Sequence, residues 1–226
     1  MNPTLQRIIP WLIGVMIPFF LLMTAIRILF TPVYLQVEYR SPGFPPDSYG
    51  FTLEDRLHWG RVSMEYLLTG RDINFLASQQ LQDGTPLYNE RELDHMVDVK
   101  VLLQQMIIWW WGLLGVLVAL GLSAWLGKWM PLYLRGLGLG GRLTLGLIVV
   151  ILLAVAVSFN QLFTLFHRLF FTGDTWIFNY SDSLIRLFPL RFWRDAFILM
   201  GVITIGGAGL LWWVEKKFAH RIMPGG

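Results

Sequence analysis

The chain has 226 residues, of which 55% are hydrophobic and 15% are charged, with 11 tryptophans, 16 phenylalanines and no cysteine. An ordinary soluble domain has about 45–50% apolar and about 25% charged residues, so the composition indicates an integral membrane protein. The lack of cysteine excludes a disulfide scaffold, a thiolate zinc site and a thiol nucleophile, and a formal charge of +3 is too small to indicate a nucleic-acid partner.

Four apolar stretches are each long enough to cross a hydrocarbon core of about 30 Å, which takes about 20 helical residues. We predict spans at 8–29, 101–126, 143–166 and 196–214. The first stretch is longer than the apolar part of a signal peptide, about 7–15 residues, and no A-x-A cleavage site follows it, so we expect it to be retained. The predicted fold class is an all-α integral membrane protein with four transmembrane helices, and we treat residues 1–226 as a single membrane domain.

Three connections join the predicted spans: a loop at 30–100, a short glycine-rich turn at 127–142 and a second loop at 167–195. An even number of spans places both termini on one side of the membrane. The basic residues that would share that side are Arg7, Lys128, Arg135, Arg142, Lys216, Lys217 and Arg221. Because cytoplasmic segments are enriched in Lys and Arg, we expect both termini in the cytoplasm and both loops on the extracytoplasmic face.

The loop at 30–100 carries two helix-start signals, so we expect it to be folded. Thr52 with Asp55 is typical of a capping box, and it predicts a helix that runs to Gly70. Asn89 with Glu92 is a second such signal. From there, neither Pro nor Gly occurs before Gly112, which predicts that one helix starts in the loop and continues into the second span.

The loop at 167–195 contains a short amphipathic stretch at 182–188, followed by Arg191, Trp193 and Arg194. Arginine and tryptophan clusters of this kind are common anchors at the membrane surface. They are also suited to a contact with a lipid or phosphate headgroup. The sequence leaves both interpretations open for Arg191 and Arg194.

Helical spacing gathers polar residues at two places beside the membrane. His95 and Asp98 are three residues apart and share a helix face, and Asn160 and His167 are seven apart and share another. Because a short connection joins the second and third spans, these helices are expected to be antiparallel neighbours. Both histidines would then reach the same membrane interface, which predicts a shared site.

A histidine pair can perform acyl transfer without a nucleophile of its own. A neutral imidazole removes a proton, and an imidazolium donates one or stabilises an oxyanion. Asp98 could orient His95 as a carboxylate orients a catalytic imidazole, or it could be a solvated residue or pair with Arg91 or Lys100, and the sequence does not decide between these. His58 and His220 have no comparable partner, and we interpret both as solvated.

The polar segments together resemble a known membrane family. The segments His95-Met-x-Asp98-Val-Lys100, Asn160-x-x-Phe163-x-x-x-His167-x-x-Phe170-Phe171 and Trp176-x-Phe178-Asn179 are similar to those of the bacterial lipoprotein intramolecular transacylases. The resemblance covers chiefly residues 34–100 and 159–193 and includes the four-span layout.

The resemblance implies a specific reaction in the bacterial cytoplasmic membrane. Family members move the sn-2 acyl chain of a diacylglyceryl-modified lipoprotein onto the α-amino group of its N-terminal cysteine, which leaves a lyso-form lipoprotein. His95 and His167 match the catalytic pair, and we assign supporting roles to four matching residues, Asp98, Lys100, Asn160 and Trp176. The expected partners are the lipoprotein substrate and membrane lipid, with no cofactor, no metal and no nucleic acid, and we expect a monomer.

Two other classes of protein compete with this interpretation. A metal-dependent membrane hydrolase could use His95, His167 and either Asp94 or Asp98 as ligands, although the ligands are dispersed and no HExxH pair is present. A non-enzymatic assembly or transport partner would bind another protein through its loops. Transport is disfavoured because the middle of each predicted span is nearly free of ionisable residues.

Overall fold

The computed structural model describes residues 2–219, and within this range the chain is built from helices and connecting loops with no strand. The helices are α1 (Pro3–Leu29), α2 (Pro32–Tyr39), α3 (Leu53–Leu68), α4 (Asn74–Ala77), α5 (Glu90–Leu126), α6 (Met130–Phe170), α7 (Ser183–Leu187) and α8 (Leu190–Val214), and a π-helical turn at Glu215–Ala219 follows α8.

Four of the helical segments are long and apolar enough to cross a membrane, namely Thr4–Leu29, Glu90–Leu126, Met130–Phe170 and Leu190–Ala219. They contain the four predicted spans, so the predicted fold class is confirmed. All four helices begin before the predicted boundaries, at Pro3, Glu90, Met130 and Leu190.

Both predicted helix starts are confirmed by capping boxes. The Thr52 hydroxyl accepts a hydrogen bond from the Asp55 amide at 3.1 Å, and the Asp55 carboxylate accepts one from the Thr52 amide at 2.9 Å. Asn89 and Glu92 exchange the same pair of bonds at 2.8 and 3.0 Å. Each box satisfies two amides that a helix start otherwise leaves without a partner. The second box starts α5, which runs unbroken from the loop into the second span as predicted.

The predicted glycine-rich turn at 127–142 is wrong for most of its length, because α6 already begins at Met130. The glycines of this segment serve helix packing instead. A Cβ atom added to Gly136 would lie 2.7 Å from the Cβ atom of Ile13, and one added to Gly140 would overlap Ile17. Glycine at these positions lets two helix backbones approach closely, which is a common use of small residues in membrane helices.

Helix α6 is interrupted at Ser158, whose backbone is extended with φ −162° and ψ 96°. The Ser158 hydroxyl accepts a hydrogen bond from the Gln161 amide at 3.4 Å. Serine in this position acts as the N-cap of a new helical segment that ends at Phe170 and carries His167. Neither proline nor glycine marks this interruption in the sequence.

The chain divides into two compact units. Within the described residues, the first unit comprises 2–28, 107–156 and 198–219, and it has an apolar cluster of Ile13, Ile17 and Leu117. The second unit comprises Leu29–Met106 and Val157–Phe197, and it contains both candidate histidines. The treatment of residues 1–226 as one membrane domain stays a prediction.

Hydrogen bonds from buried side chains tie the two loops together within the second unit. The hydroxyl of Tyr34 donates to the carbonyl of Phe192, and the hydroxyl of Tyr39 donates to the carbonyl of Leu187, both at 2.9 Å. Glu92, which is 1% exposed, accepts a 2.6 Å bond from the Leu184 amide. These bonds join residues that lie far apart in the chain, so the loop at 30–100 is folded, as predicted.

Candidate active site

His95 on α5 and His167 on α6 lie side by side within the second unit. Their ring centroids are 5.9 Å apart and their planes differ by 24°, so the imidazoles are stacked. Each residue is only 8% exposed. The structure therefore brings together two residues that are 72 positions apart in the chain.

The surroundings of the two imidazoles are aromatic. The His95 ring lies 4.9 Å from Phe171 and 5.4 Å from Phe178. The His167 ring lies 4.1 Å from Phe163, 5.1 Å from Trp176 and 5.5 Å from both Phe166 and Phe171. Within residues 2–219, no carboxylate forms a hydrogen bond or ion pair with either imidazole. The pair is thus held by packing between rings.

The nitrogen atoms of the two imidazoles differ in their partners. Nδ1 of His167 lies 2.7 Å from the carbonyl oxygen of Phe163, one turn earlier in the same helix. A carbonyl oxygen only accepts, so this Nδ1 carries the hydrogen, and in the neutral ring the lone pair is on Nε2. Nδ1 of His95 is buried and has no hydrogen-bond partner among the described residues.

Among the four residues predicted to support the pair, only Trp176 contacts it. The Asp98 carboxylate accepts a 3.4 Å hydrogen bond from the Thr175 hydroxyl, and no hydrogen bond joins it to His95. Lys100 donates to the Arg71 carbonyl, and its ammonium lies 4.1 Å from the centre of the Tyr66 ring.

Asn160 lies on the His167 helix with an exposed side chain. The two residues are separated by two helical turns, about 10 Å along the axis. The supporting roles of Asp98, Lys100 and Asn160 stay predictions.

Arg191 and Arg194 belong to an ion-pair cluster. Their guanidinium groups contact Asp195 at 3.2 and 2.9 Å. Arg191 also donates to the carbonyls of Gly43 and Pro42, so this side chain ties the start of α8 to the loop at 30–100. Their predicted contact with a lipid headgroup stays a prediction.

A buried carboxyl beside this cluster was missed from the sequence. Glu38 is 5% exposed, and its Oε1 atom has no hydrogen-bond partner among the described residues. Burial and the nearby Asp195 carboxylate raise the pKa of Glu38 to about 7, although Arg191 opposes the shift. No local pattern marks Glu38, because its burial results from tertiary packing.

The aromatic shell was also missed as a functional element. Phe163, Phe171 and Phe178 belong to the segments that carry the family resemblance, but no role was assigned to them. Their spacing on α6 and in the loop after it is the signal that could have found them. In a chain with 16 phenylalanines, however, such spacing is not specific.

The remaining candidates do not form a second site. No three His, Asp or Glu side chains within the described range converge to hold a metal ion, so the alternative set with Asp94 or Asp98 does not form there. His58 is exposed, as expected. His220 and Arg221 lie outside the described residues.

The fold and site define a helical membrane protein with four spans and a buried histidine pair. The chain matches the family described as lipoprotein intramolecular transacylase Lit over residues 11–193, and it belongs to that family. The resemblance found in the sequence is confirmed. The chain is therefore an acyltransferase rather than a non-enzymatic assembly or transport partner.

Several known proteins are similar to this chain. An uncharacterized protein of Aquifex aeolicus (strain VF5) is 26% identical over 208 residues, which covers 88% of this chain and 89% of that protein. The membrane-integral lipoprotein intramolecular transacylase Lit from Bacillus cereus is 23% identical with a TM-score of 0.77, covering 98% of this chain and 100% of that one. A variant of the Bacillus cereus protein with a histidine replaced by alanine is 22% identical with a TM-score of 0.72. The match covers 96% of this chain and 95% of that one. At these identities the structural matches concern the fold.

Proposed function

We propose that this protein transfers the sn-2 acyl chain of a diacylglyceryl-modified lipoprotein to the α-amino group of that lipoprotein's N-terminal cysteine. Family membership supports the substrate class and the intramolecular character of the reaction. The observation that carries the mechanism is the stacked pair of His95 and His167, buried among aromatic rings.

In the proposed reaction, His167 is the general base. Its Nδ1–H group is held by the Phe163 carbonyl, so Nε2 presents the lone pair that removes a proton from the α-ammonium. The freed amine attacks the sn-2 ester carbonyl and forms a tetrahedral oxyanion. In other enzymes a carboxylate or a backbone carbonyl accepts a hydrogen bond from the Nδ1–H group of a histidine and so fixes the tautomer of its ring.

His95 completes the reaction on the oxygen side. As the intermediate collapses, the bond between the carbonyl carbon and the glycerol oxygen breaks, and the oxygen takes a proton. We assign the stabilisation of the oxyanion and the protonation of the glycerol oxygen to His95, whose Nδ1 has no partner within the described chain. The products are an amide on the cysteine and a free sn-2 hydroxyl. In going from ammonium to amide the nitrogen loses two protons: His167 passes the first to solvent, and the second replaces the proton that His95 gives to the glycerol oxygen.

Two histidines are sufficient for this chemistry because both reacting groups belong to one molecule. Holding the amine and the ester in a reactive geometry can supply effective molarities of about 10⁵–10⁸ M, equivalent to about 7–11 kcal/mol of barrier. General acid–base catalysis adds about 10²–10⁴-fold. Positioning is thus the larger contribution, and no acyl-enzyme intermediate is required.

We further propose a location and an orientation for the protein. It lies in the bacterial cytoplasmic membrane with both termini in the cytoplasm and the histidine pair toward the extracytoplasmic face, and it acts as a monomer. The basic residues near the termini and between α5 and α6, among them Arg7 and Lys128, support this orientation.

The test is to incubate the purified protein with a synthetic diacylglyceryl-cysteine peptide and to locate the acyl groups by tandem mass spectrometry. The expected product carries one acyl chain on nitrogen and a free sn-2 hydroxyl. His95→Ala and His167→Ala should each lower the rate by about 10²–10⁴-fold. His58→Ala is the matched control, because that histidine is exposed and outside the pair. Normal production of the lyso form by either dyad variant would refute the mechanism.

A further inference from the structure

The histidine pair has no acidic partner, although the proposed substrate brings a positive charge to it. Neither imidazole forms a hydrogen bond or ion pair with a carboxylate within residues 2–219, and the surrounding side chains are aromatic. The groups in direct contact with the two imidazoles, where an α-ammonium would enter, are therefore aromatic rings. The faces of aromatic rings attract cations, and tryptophan does so most strongly.

We propose that the indole ring of Trp176 receives the α-ammonium of the lipoprotein substrate and delivers it to His167. The inference rests on the proposed function, since it names the group that recognises the nucleophile before its deprotonation. Trp176 is a positioning and specificity residue in this scheme. The Trp176 ring centroid lies 5.1 Å from that of His167, so the indole is a direct neighbour of the proposed base. A ring attracts a cation that lies within about 6 Å of its centroid.

The Trp176 side chain is partly exposed, and its polar edge already has a partner. Its indole N–H donates to the Gly173 carbonyl at 3.2 Å, so the polar edge is already satisfied within the same turn. Gly173 has φ +75°, a conformation that favours glycine, and this allows the turn to bring its carbonyl to the indole. The Trp176 side chain is half-buried, whereas His167 behind it is buried.

The residues on both sides of Trp176 are tied to the helix that carries His95. The Thr175 hydroxyl donates to the Asp98 carboxylate at 3.4 Å, and Nη1 of Arg91 donates to the Ile177 carbonyl at 3.0 Å. These two bonds fix the loop against α5 immediately before and after the indole. The position of the ring beside the histidine pair is thus set by contacts outside the ring itself.

The other rings around the pair are less suited to this role. Phe171 is 8% exposed and contacts both imidazoles, so its faces are covered. Phe163 and Phe166 lie on the same helix as His167 and pack against it. Trp176 combines the strongest cation-binding ring type with partial exposure and a contact to the proposed base.

The proposal predicts a preference that depends on charge. The substrate nitrogen is an ammonium when it arrives and a neutral amide after acyl transfer, so the ring attracts the substrate and not the product. The expected preference for a free α-amine over an acylated one is about 5- to 30-fold in dissociation constant, which corresponds to an ordinary cation–π interaction in a partly desolvated site.

The experiment measures binding without turnover. Wild-type protein in nanodiscs is titrated with lipopeptides whose acyl chains are attached by ether bonds, which cannot be transferred. One peptide has a free α-amine and the other an acetylated one. The titration is done at about pH 6.5, below the usual α-amino pKa of about 7.7–8.0, so that the free amine is charged.

Trp176→Leu should abolish the preference for the free amine, and Trp176→Phe should retain part of it. Trp193→Leu is the control and should keep the preference, because that ring contacts Phe163 at 6.5 Å and neither histidine. Fluorinated tryptophans placed at position 176 should weaken the preference with each added fluorine, since fluorine withdraws electron density from the ring face.

Three outcomes would overturn the proposal: an unchanged preference in Trp176→Leu, an equal loss of affinity for both peptides, or a preference that is insensitive to fluorination. The second outcome would show that Trp176 is a packing or interface anchor. Failure of the wild-type protein to convert an ester-linked substrate would instead refute the proposed function, and the ether-linked peptides keep the two results separate.

Discussion

Nδ1 of His167 lies 2.7 Å from the carbonyl oxygen of Phe163, the residue one helical turn earlier. The bond uses a backbone group as the orienting partner of an imidazole, where many hydrolytic enzymes use a carboxylate. Because the partner belongs to the main chain, its position depends on the helix and cannot be removed by a side-chain substitution.

This bond implies that Nδ1 of His167 orients the ring and that Nε2 accepts the proton, so an imidazole is required at this position. Glutamine places an amide near the position of Nε2 and asparagine places one near Nδ1, but neither amide accepts a proton at neutral pH. Both His167→Gln and His167→Asn should therefore lower the rate of acyl transfer by about 10²–10⁴-fold. The rates are measured by mass spectrometry with a diacylglyceryl-cysteine peptide. Activity of His167→Gln within about tenfold of wild type would show that the imidazole only donates a hydrogen bond and is not the base.

Because Glu38 is buried, we expect the free energy of unfolding to decrease as the pH rises. Its pKa is raised to about 7 by burial and by Asp195, whereas an unfolded chain has a glutamate pKa of about 4.3. Between these values the folded state keeps a proton that the unfolded state has lost. Folding is therefore most favourable below the unfolded pKa, and the advantage is lost as the pH rises through the folded pKa.

The measurement is the midpoint of thermal unfolding in detergent between about pH 5 and about pH 8. The wild-type midpoint should fall over this interval, and Glu38→Gln, which cannot ionise, should show a smaller fall. Glu54→Gln, at an exposed position, should follow the wild type. Parallel curves for wild type and Glu38→Gln would contradict the assignment.

Glu92 predicts a large loss of stability on truncation, because its carboxylate serves two amides. It accepts from Asn89 at 2.8 Å and from Leu184 at 2.6 Å, and it is 1% exposed. Glu92→Ala leaves two amides without partners at about 1–3 kcal/mol each, so we expect a loss of about 2–5 kcal/mol. Chemical denaturation measures the change. Glu90→Ala, exposed on the same helical turn, should cost less than about 1 kcal/mol, and equal losses in the two variants would be inconsistent with this role.

We expect a side chain added at Gly136 to clash with a neighbouring helix, whereas one added at another glycine of α6 should not. A Cβ atom at Gly136 would lie 2.7 Å from the branched Cβ of Ile13, whereas one at Gly146 would meet no atom of residues 2–219 within 4 Å. Gly136→Ala should destabilise the protein by about 1–3 kcal/mol through overpacking. Gly146→Ala should be neutral or stabilise it by up to about 1 kcal/mol through helix propensity. Thermal unfolding of the two variants compares them directly, and equal midpoints would show that the close approach is not required.

The absence of cysteine allows a clean test of membrane orientation. Thr85→Cys lies in the loop at 30–100 and Lys217→Cys lies after α8, and both positions are exposed. In intact spheroplasts an impermeant maleimide should label the first variant and reach the second only after permeabilisation. The reverse pattern would invert the proposed orientation.

Parts of this fold that depend on local chemistry could be predicted from the sequence. The capping boxes at Thr52 and Asn89 involve residues three positions apart, so spacing alone identifies them. The glycines at 127–142 misled the prediction, since glycine serves both turns and close helix packing, and only the position of Ile13 distinguishes the two.

The candidate site was predictable only in part, because spacing along the chain identifies local contacts and not tertiary ones. The register of His95 and His167 on neighbouring helices predicted a shared location, but the aromatic shell depends on tertiary packing. Asp98 shares a helix face with His95, yet its carboxylate bonds Thr175, which lies in a loop whose position cannot be read from residue spacing. The interruption at Ser158 has no local signal because an ordinary serine at that position is compatible with a continuous helix.

That interruption separates two requirements that a long membrane helix usually has to satisfy at once. The stretch of α6 before Ser158 must match the thickness of the bilayer, and the stretch after it must aim an imidazole. A break in the backbone ladder absorbs changes in direction, as kinks in helices do. The imidazole of His167 is therefore aimed from a short segment that has its own N-cap, Ser158, and that holds Nδ1 at the Phe163 carbonyl.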